Sequence, residues 1–220
     1  MAMRKIIFAE GELYHVYNRG VDKRIVFTTR GEYERFLMYL HILNTNSDVR
    51  PTEVMERKSK EEIFNTPRKD PLVAIGAFCL MPNHFHLLLT PLVPGGVSKF
   101  MQKVQTAYTM YINARYERTG ALFQGTFKAE HAASDTYAKY LYSYIHLNPS
   151  KLVSIKWKDF KENDFSKVRS FLTEYPHSSL KEYMSGQHVI SDPSYFPEYF
   201  STKKDLQTHI DDWIILKREV

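Results

Sequence analysis

His84 and His86, separated by Phe85, are the residues whose type and spacing most directly suggest chemistry. On a β-strand, side chains two residues apart face the same side, so both imidazoles would project together while Phe85 enters the opposite layer. Two imidazoles placed this way can share one divalent metal ion. With only two protein ligands, such an ion keeps positions open for substrate oxygens, as Lewis-acid work on a phosphate requires. A third ligand has to come from elsewhere. Nine histidines in 220 residues give a His-x-His by chance in roughly a third of such chains, and two half-buried strand histidines are the bland alternative. Position carries the reading, because the pair follows the Pro82-Asn83 turn directly and opens a strand expected to be central.

The second candidate is the stretch from Tyr137 to Asn148. Four tyrosines fall within the eight residues from Tyr137 to Tyr144, too many for an apolar stripe, since each buried hydroxyl needs a partner. Tyr137, Leu141, Tyr144 and Asn148 follow one another at spacings of four, three and four, which puts them on one helix face. A phenol oxygen held beside a bound metal can attack a DNA phosphorus and store the bond energy as a phosphotyrosine. Asn148, one turn after Tyr144, either completes the metal shell through its side-chain carbonyl or caps the helix before Pro149. Packing against the sheet is the competing role for Tyr144, as it is for Tyr108 and Tyr111.

Charge suggests where a polyanion would lie. The chain carries a net +5, and residues 95–160 alone hold nine lysines or arginines against four acids. That excess marks the middle of the chain as the plausible path of a phosphate backbone. Arg19, Lys103, Arg115, Arg118 and Lys128 are the candidate backbone contacts, on charge and location. The single cysteine, Cys79, makes no intramolecular disulfide and no thiolate metal site, so a metal here must rely on histidine and oxygen. Met1 to Ile7 does not read as a signal peptide, and the apolar run Val73 to Met81 is less than half a membrane span. The expectation is a soluble, cytoplasmic protein without a membrane partner.

These residues need a scaffold, and the hydrophobic pattern supplies one. Leu13 to Asn18 alternates as a strand and breaks at Gly20. Thr29 and Glu32 form a capping-box pattern ahead of Tyr33, Phe36, Leu37, Leu40 and Leu43 at helical spacing. The charged stretch Asp48 to Asp70 reads as a surface excursion with a short helix around Lys58 to Phe64. Leu72 to Leu80, the turn Met81-Pro82-Asn83, and His84 to Leu92 form a hairpin. A long helix then runs from Val97 to about Arg118, followed by a strand from Leu122 to His131, with Gly125 marking a bulge or close backbone approach. Ser134 and Asp135 cap a helix that ends near Asn148, because Pro149 disfavours helical geometry before it. A last helix is expected over Lys203 to Lys217.

This order predicts an α+β, ferredoxin-like split-βαβ fold: an antiparallel sheet with helices on one face, then a C-terminal helix bearing Tyr144. An irregular, partly helical extension follows. Residues 1–150 would form the catalytic domain, and residues 151–220 an extension that packs on it or contacts DNA.

Four blocks in order resemble the REP-associated tyrosine transposases, members of the single-tyrosine HUH transposases. They are Tyr14-His-Val-Tyr-Asn-Arg-Gly20, Cys79-Leu-Met-Pro-Asn-His-Phe-His-Leu-Leu-Leu89, Arg118-Thr-Gly-Ala-Leu-Phe-Gln-Gly125 and Tyr144-Ile-His-Leu-Asn-Pro149. The resemblance implies that His84 and His86 are the metal pair, Tyr144 the nucleophile and Asn148 the further polar ligand. It also implies magnesium or manganese as cofactor and single-stranded or hairpin DNA as partner. Similar enzymes cut one strand near an imperfect hairpin, remain attached to the 5′ phosphate and release a 3′ hydroxyl, without a nucleoside triphosphate. Either a homodimer or a monomer is compatible with the sequence.

Two departures stand out. Where the family commonly has arginine after the glycine equivalent to Gly125, this chain has Thr126-Phe127-Lys128, and residues 48–70 are longer than expected. Beyond Pro149 the match fades, although Tyr175-Pro-His-Ser-Ser179 with Tyr183 is similar to the family's Trp-Pro-x-Ser-Ser-x-x-x-Tyr ending. Three other readings compete. One is a replication initiator or relaxase with the same chemistry but a different motif order. Another is a domesticated, catalytically silent protein that binds hairpin DNA or RNA. The last is a structural ferredoxin-like domain with chance histidines.

Overall fold

The computed structural model describes residues 6–153, 162–200 and 202–218. The expected absence of a leader at residues 1–5, and Lys156 and Lys158 of the basic segment, lie outside the described residues. Four strands, β1 (Tyr14–Arg19), β2 (Val73–Met81), β3 (His84–Pro91) and β4 (Lys128–His131), form one sheet in the order β2-β3-β1-β4. Every neighbouring pair is antiparallel, which is the ferredoxin-like α+β arrangement. β3 is central, as its position after the turn led one to expect.

Alternation along the strands gives the sheet two different faces. Tyr14 and Val16 of β1 and Phe85, Leu87 and Leu89 of β3 point one way, into a core with Phe36 and Leu40 of α1 (Arg30–Ile42) and Phe100, Val104 and Tyr108 of a later long helix. That helix and α1 both cover this face. Glu32 makes the α1 start: its carboxylate accepts from the backbone N–H of Thr28 at 2.6 Å and of Thr29 at 3.2 Å, relieving amides that a helix terminus leaves unpaired.

Residues 48–70 hold two short helices rather than one, α2 (Pro51–Arg57) and α3 (Lys60–Asn65). No residue of α2 is buried, so hydrophobic periodicity had nothing to register. The long helix α4 (Gly96–Arg115) stops before Arg118. Leu122 to Phe127 is not strand except for an isolated bridge between Gly20 and Phe123. Gly125, at φ +67°, turns the chain in a conformation that L side chains rarely adopt, and only after it does β4 pair with β1.

The opposite face is covered by α5 (Asp135–Leu147), whose N-cap Ser134 accepts from Tyr137 N–H. Leu141, Tyr142 and Ile145 of α5 pack on Ala74, Ala77, Cys79 and Leu88. The bulge at Gly76 keeps β2 in phase with both cores. A Cβ at Gly76 would lie 2.6 Å from Phe196 and 2.7 Å from the Tyr142 hydroxyl, so this crowded crossing has no room for a side chain.

The C-terminal part contributes α6 (Glu162–Glu174), α7 (Leu180–Ser185) and α8 (Lys203–Arg218). Val168, Leu172, Leu180, Leu206, Ile210 and Ile214 form a small core with Leu147 at the end of α5. The Tyr175–Tyr183 segment runs along the outer edge of β2. Tyr175 Oη donates to Leu80 O at 2.8 Å, Leu80 N to His177 O at 2.9 Å, Ser179 N to Phe78 O at 3.0 Å, and Tyr183 Oη to Gly76 O at 2.7 Å. His146 of α5 meets the Ser179 hydroxyl at 2.7 Å. Sheet edge, α5 and extension are thereby tied at one place. Among the described residues no helix is long and apolar enough to cross a membrane.

Candidate functional site

The residues of β1 and β3 that do not enter the α1/α4 core face α5, and apart from Leu88 they are polar. His15, Tyr17 and Arg19 alternate on β1, and His84 and His86 on β3. Strand register sets Tyr17 beside His86 and Arg19 beside His84, with Lys128 of β4 flanking Tyr17 on its other side. The β2–β3 turn that aims His84 is fixed from outside: Val26 and Phe27 N–H both donate to Pro82 O, and Gly20 N–H donates to Asn83 O.

α5 crosses this polar patch and brings Tyr144 onto it. The Tyr144 ring meets His86 edge-on at 5.4 Å between centroids and His15 at 5.7 Å. A cleft of about 300 Å³ opens here, lined by Tyr17, Arg19, His84, His86, Gln124, Lys128, Tyr144 and Lys151. A larger cavity of about 580 Å³ lies by α5, α7 and α8. Aromatic rings line much of it, and it contains neither the histidine pair nor Tyr144.

The histidines are held neutral. Burial, reinforced by the Arg19 and Lys151 charges, lowers His84 to about 4. Burial, then the neighbouring His15 and His84, takes His86 well below the usual imidazole value. Burial likewise lowers His15 to about 4. A neutral imidazole keeps one nitrogen lone pair for a metal. On His84 that nitrogen is Nε2, because Nδ1 donates to Asn83 Oδ1 at 2.6 Å. The Asn83 amide is itself oriented by its Nδ2, which donates to Lys23 O at 3.1 Å. On His86, Nδ1 faces His15 Nε2 at 2.9 Å, and the lone pair is on Nε2 only where His86 is the ring that donates.

Asn148 is buried close to His84, whose pKa it raises slightly against the larger lowering by burial. Its Nδ2 donates to Tyr144 O at 2.8 Å, closing the helix, while its Oδ1 accepts from Lys151 Nζ at 3.0 Å. The side chain thus serves as the helix cap, with both of its polar atoms engaged. Among the described residues no group of three or more His, Cys, Asp or Glu could hold a metal. The donors that could hold a divalent ion are the two imidazole nitrogens, and the Asn148 oxygen could join them only on release from Lys151. Arg19 and Lys151 make the cleft cationic, which favours a phosphate in it.

Several further side chains bear on the site. Tyr17 Oη donates to Glu130 at 2.7 Å and Tyr137 Oη to the same carboxylate at 3.2 Å. Burial and Glu130 together push Tyr17 up to about 12 and raise Tyr137, which keeps both phenols protonated. Tyr142 points away from the cleft into the α5–β2 core, where burial raises it strongly. Arg19 and Lys128 line the cleft, whereas Lys103, Arg115 and Arg118 do not. Lys103 Nζ donates to Thr45 O and Ser47 O at 2.8 and 2.7 Å. Arg115 lies 3.6 Å from Glu32, and Arg118 bonds Asn113.

Two site residues escaped the sequence reading. Lys151 is seven after Tyr144 and three after Asn148, so it shares their face, and a 3₁₀ turn over Asn148–Leu152 carries that face past Pro149. Its ammonium sits 5.7 Å from the centre of the Tyr144 ring. His15 was visible as an alternating β1 residue, but its proximity to His86 depends on the β1–β3 register.

Comparison with known proteins gives the family of the chain and a solved structure of similar fold. The family described as Transposase IS200 like matches residues 34–148, just over half of the chain, and the chain belongs to that family. The matched span includes the histidine pair, Tyr144 and Asn148. A solved structure of a REP-associated tyrosine transposase bound to a REP hairpin aligns with a TM-score of 0.52 at 13% identity, over 87% of this chain and 91% of that one. This likeness concerns the fold. No curated protein matches the chain.

Proposed function

We propose that this transposase-family protein is a single-strand DNA endonuclease and strand transferase, acting on hairpin DNA in the cytoplasm through a covalent 5′-phosphotyrosine at Tyr144. The observation that carries the reading is the meeting of Tyr144 with His86 and His84 in one cationic cleft. In this reading Arg19, Lys128 and Lys151 hold the scissile phosphate, and Lys103, Arg115 and Arg118 extend the backbone contacts beyond the cleft. His84 and His86, through Nε2, and Asn148, through Oδ1 on its release from Lys151, would hold a divalent ion, magnesium or manganese, which when bound supplies Lewis-acid charge at a phosphate oxygen.

Tyr144 Oη forms the bond to phosphorus, and the bond from phosphorus to the departing 3′ oxygen breaks. The phenolic proton passes to water, and the 3′ oxygen takes one up to leave as a hydroxyl. One phosphodiester is exchanged for another, so a 3′ hydroxyl can later reverse the step and free Tyr144 without an energy-supplying cofactor.

The test is incubation with labelled hairpin DNA and magnesium or manganese, followed by a search for a denaturant-stable protein–DNA adduct. The expected result is an adduct from wild type and none from Tyr144→Phe. Equal adduct from both, or binding by wild type with no adduct, overturns the reading, and the second outcome identifies a silent hairpin-binding protein.

A further inference from the structure

His15 has no role in the reaction as described so far, yet its ring contacts both His86 and Tyr144. Its Nε2 lies 2.9 Å from His86 Nδ1. Its ring lies side by side with that of His86 and nearly coplanar, with centroids 5.0 Å apart and planes 21° apart, as a hydrogen bond in the ring plane requires, and it meets the Tyr144 ring edge-on at 5.7 Å. It is 4% exposed, and its Nδ1 is buried without a hydrogen-bond partner.

Two nitrogens of two neutral imidazoles 2.9 Å apart share one proton, which permits two arrangements. In one, His15 Nε2–H donates to His86 Nδ1, and His86 then carries its own proton on Nε2, the atom that points to the cleft. A protonated Nε2 has no lone pair for a metal. In the other, His86 Nδ1–H donates to His15 Nε2, and the lone pair of His86 Nε2 is available. His15 then carries its proton on Nδ1, where the surroundings offer that N–H no acceptor.

His84 faces no such choice, because Asn83 Oδ1 can only accept and so fixes the proton on Nδ1. The two histidines of the pair are therefore unequal. One is set by an amide oxygen, and the other by a second imidazole that can donate or accept. A partner on the outer nitrogen of a metal-binding imidazole orients the ring and sets its tautomer.

We propose that His15 is a positioning residue for the divalent-ion site: it accepts the Nδ1 proton of His86, turns His86 Nε2 into a donor towards the ion, and supports the Tyr144 ring beside it. This rests on the reading of His84 and His86 as the metal pair. Metal entry then selects one of two proton arrangements in the His15–His86 pair, and loss of the acceptor weakens the ion without removing a ligand.

The experiment is manganese titration of the full chain with hairpin DNA present, reading free Mn²⁺ by electron paramagnetic resonance. The proteins are wild type, His15→Phe, His15→Gln and the double variant His84→Ala with His86→Ala. His15→Phe keeps a ring against Tyr144 but has no acceptor, and is expected to bind Mn²⁺ about 10-fold or more weakly. His15→Gln can place its amide oxygen near the lost Nε2, and is expected to stay within about 3-fold of wild type.

Wild-type affinity in His15→Phe, with Mn²⁺ lost in the double variant, overturns the role of His15 alone. Equal Mn²⁺ binding by wild type and the double variant overturns the metal pair, and the inference with it. Wild-type protein with magnesium gives an answer independent of any folding defect. Nitrogen-15 NMR should place the His86 proton on Nδ1, and a proton on Nε2 in the magnesium-loaded complex overturns the proposal.

Discussion

Phe85 and His86 are neighbours in the chain and lie on opposite faces of the same sheet. Phe85 is fully buried among Phe36 and Phe123, on a face closed by two helices whose contacts are almost all apolar. His86 lies on a face where the apolar contacts of α5 cover one end, towards Ala74, Ala77 and Leu88, and give way to His15, Tyr17, Arg19 and His84 at the other. The period-2 alternation of three strands keeps the two roles apart. The larger apolar core lies on one face, and the other holds neutral imidazoles, a phenol and two cations in close quarters.

The comparison can be broken most directly on the polar face. The double substitution His84→Ala with His86→Ala should lower hairpin cleavage by at least roughly 10³-fold, while filter binding in EDTA keeps hairpin affinity within about 3-fold. Retained cleavage would mean that the polar face is not the reactive one. On the other face, Phe85→Ala should cost about 3–5 kcal/mol of stability through lost burial and a cavity, read by urea unfolding. A loss under about 1 kcal/mol would show that the division of labour is wrong.

Acid sharpens the contrast. His15 titrates near 4 and His146 near 3, both through burial, against 6.5 for a free imidazole. Between pH 6.5 and about 4 the unfolded chain takes up protons that these rings refuse in the folded state. Stability should therefore be intact above pH 6.5 and fall as pH drops through this window, by up to about 1.4 kcal/mol per pH unit for each ring. Urea midpoints at pH 7, 6 and 5 measure it, and a flat profile would place both rings in water. The smallest effect belongs to the rim. Lys128→Ala should weaken hairpin binding by a few-fold regardless of sequence and reduce the salt slope by about one. Fluorescence anisotropy across a salt series reads both quantities.

What the sequence made legible was local. The β2–β3 hairpin, the capping box at Glu32, the Ser134 cap and the face shared by Tyr144 and Asn148 all follow from periodicity and turn chemistry over a few residues. What it hid depends on separation or on an unusual backbone. His15 meets His86 across 71 residues of chain, through a strand register that no window of residues contains. Lys151 lay beyond Pro149, where a helix boundary was expected and a 3₁₀ turn continues instead. β4 is shorter than its apolar stretch because Gly125 adopts positive φ, and α2 has no apolar face to announce it.

The hydrogen bonds from Tyr175, Ser179 and Tyr183 onto β2 have a consequence for the chain as it is made. β2 is a nine-residue strand buried throughout; Asn44 pairs with Val73 at its start, and from Ile75 to Leu80 its outer edge is covered by residues that lie about a hundred positions later. A nascent chain halted before Tyr175 would display a long apolar strand with open amides, the kind of edge that recruits a second strand from any neighbour. Production of this protein should therefore be sensitive to premature termination, with fragments ending near Leu152 collecting in inclusion bodies rather than surviving as a smaller soluble enzyme.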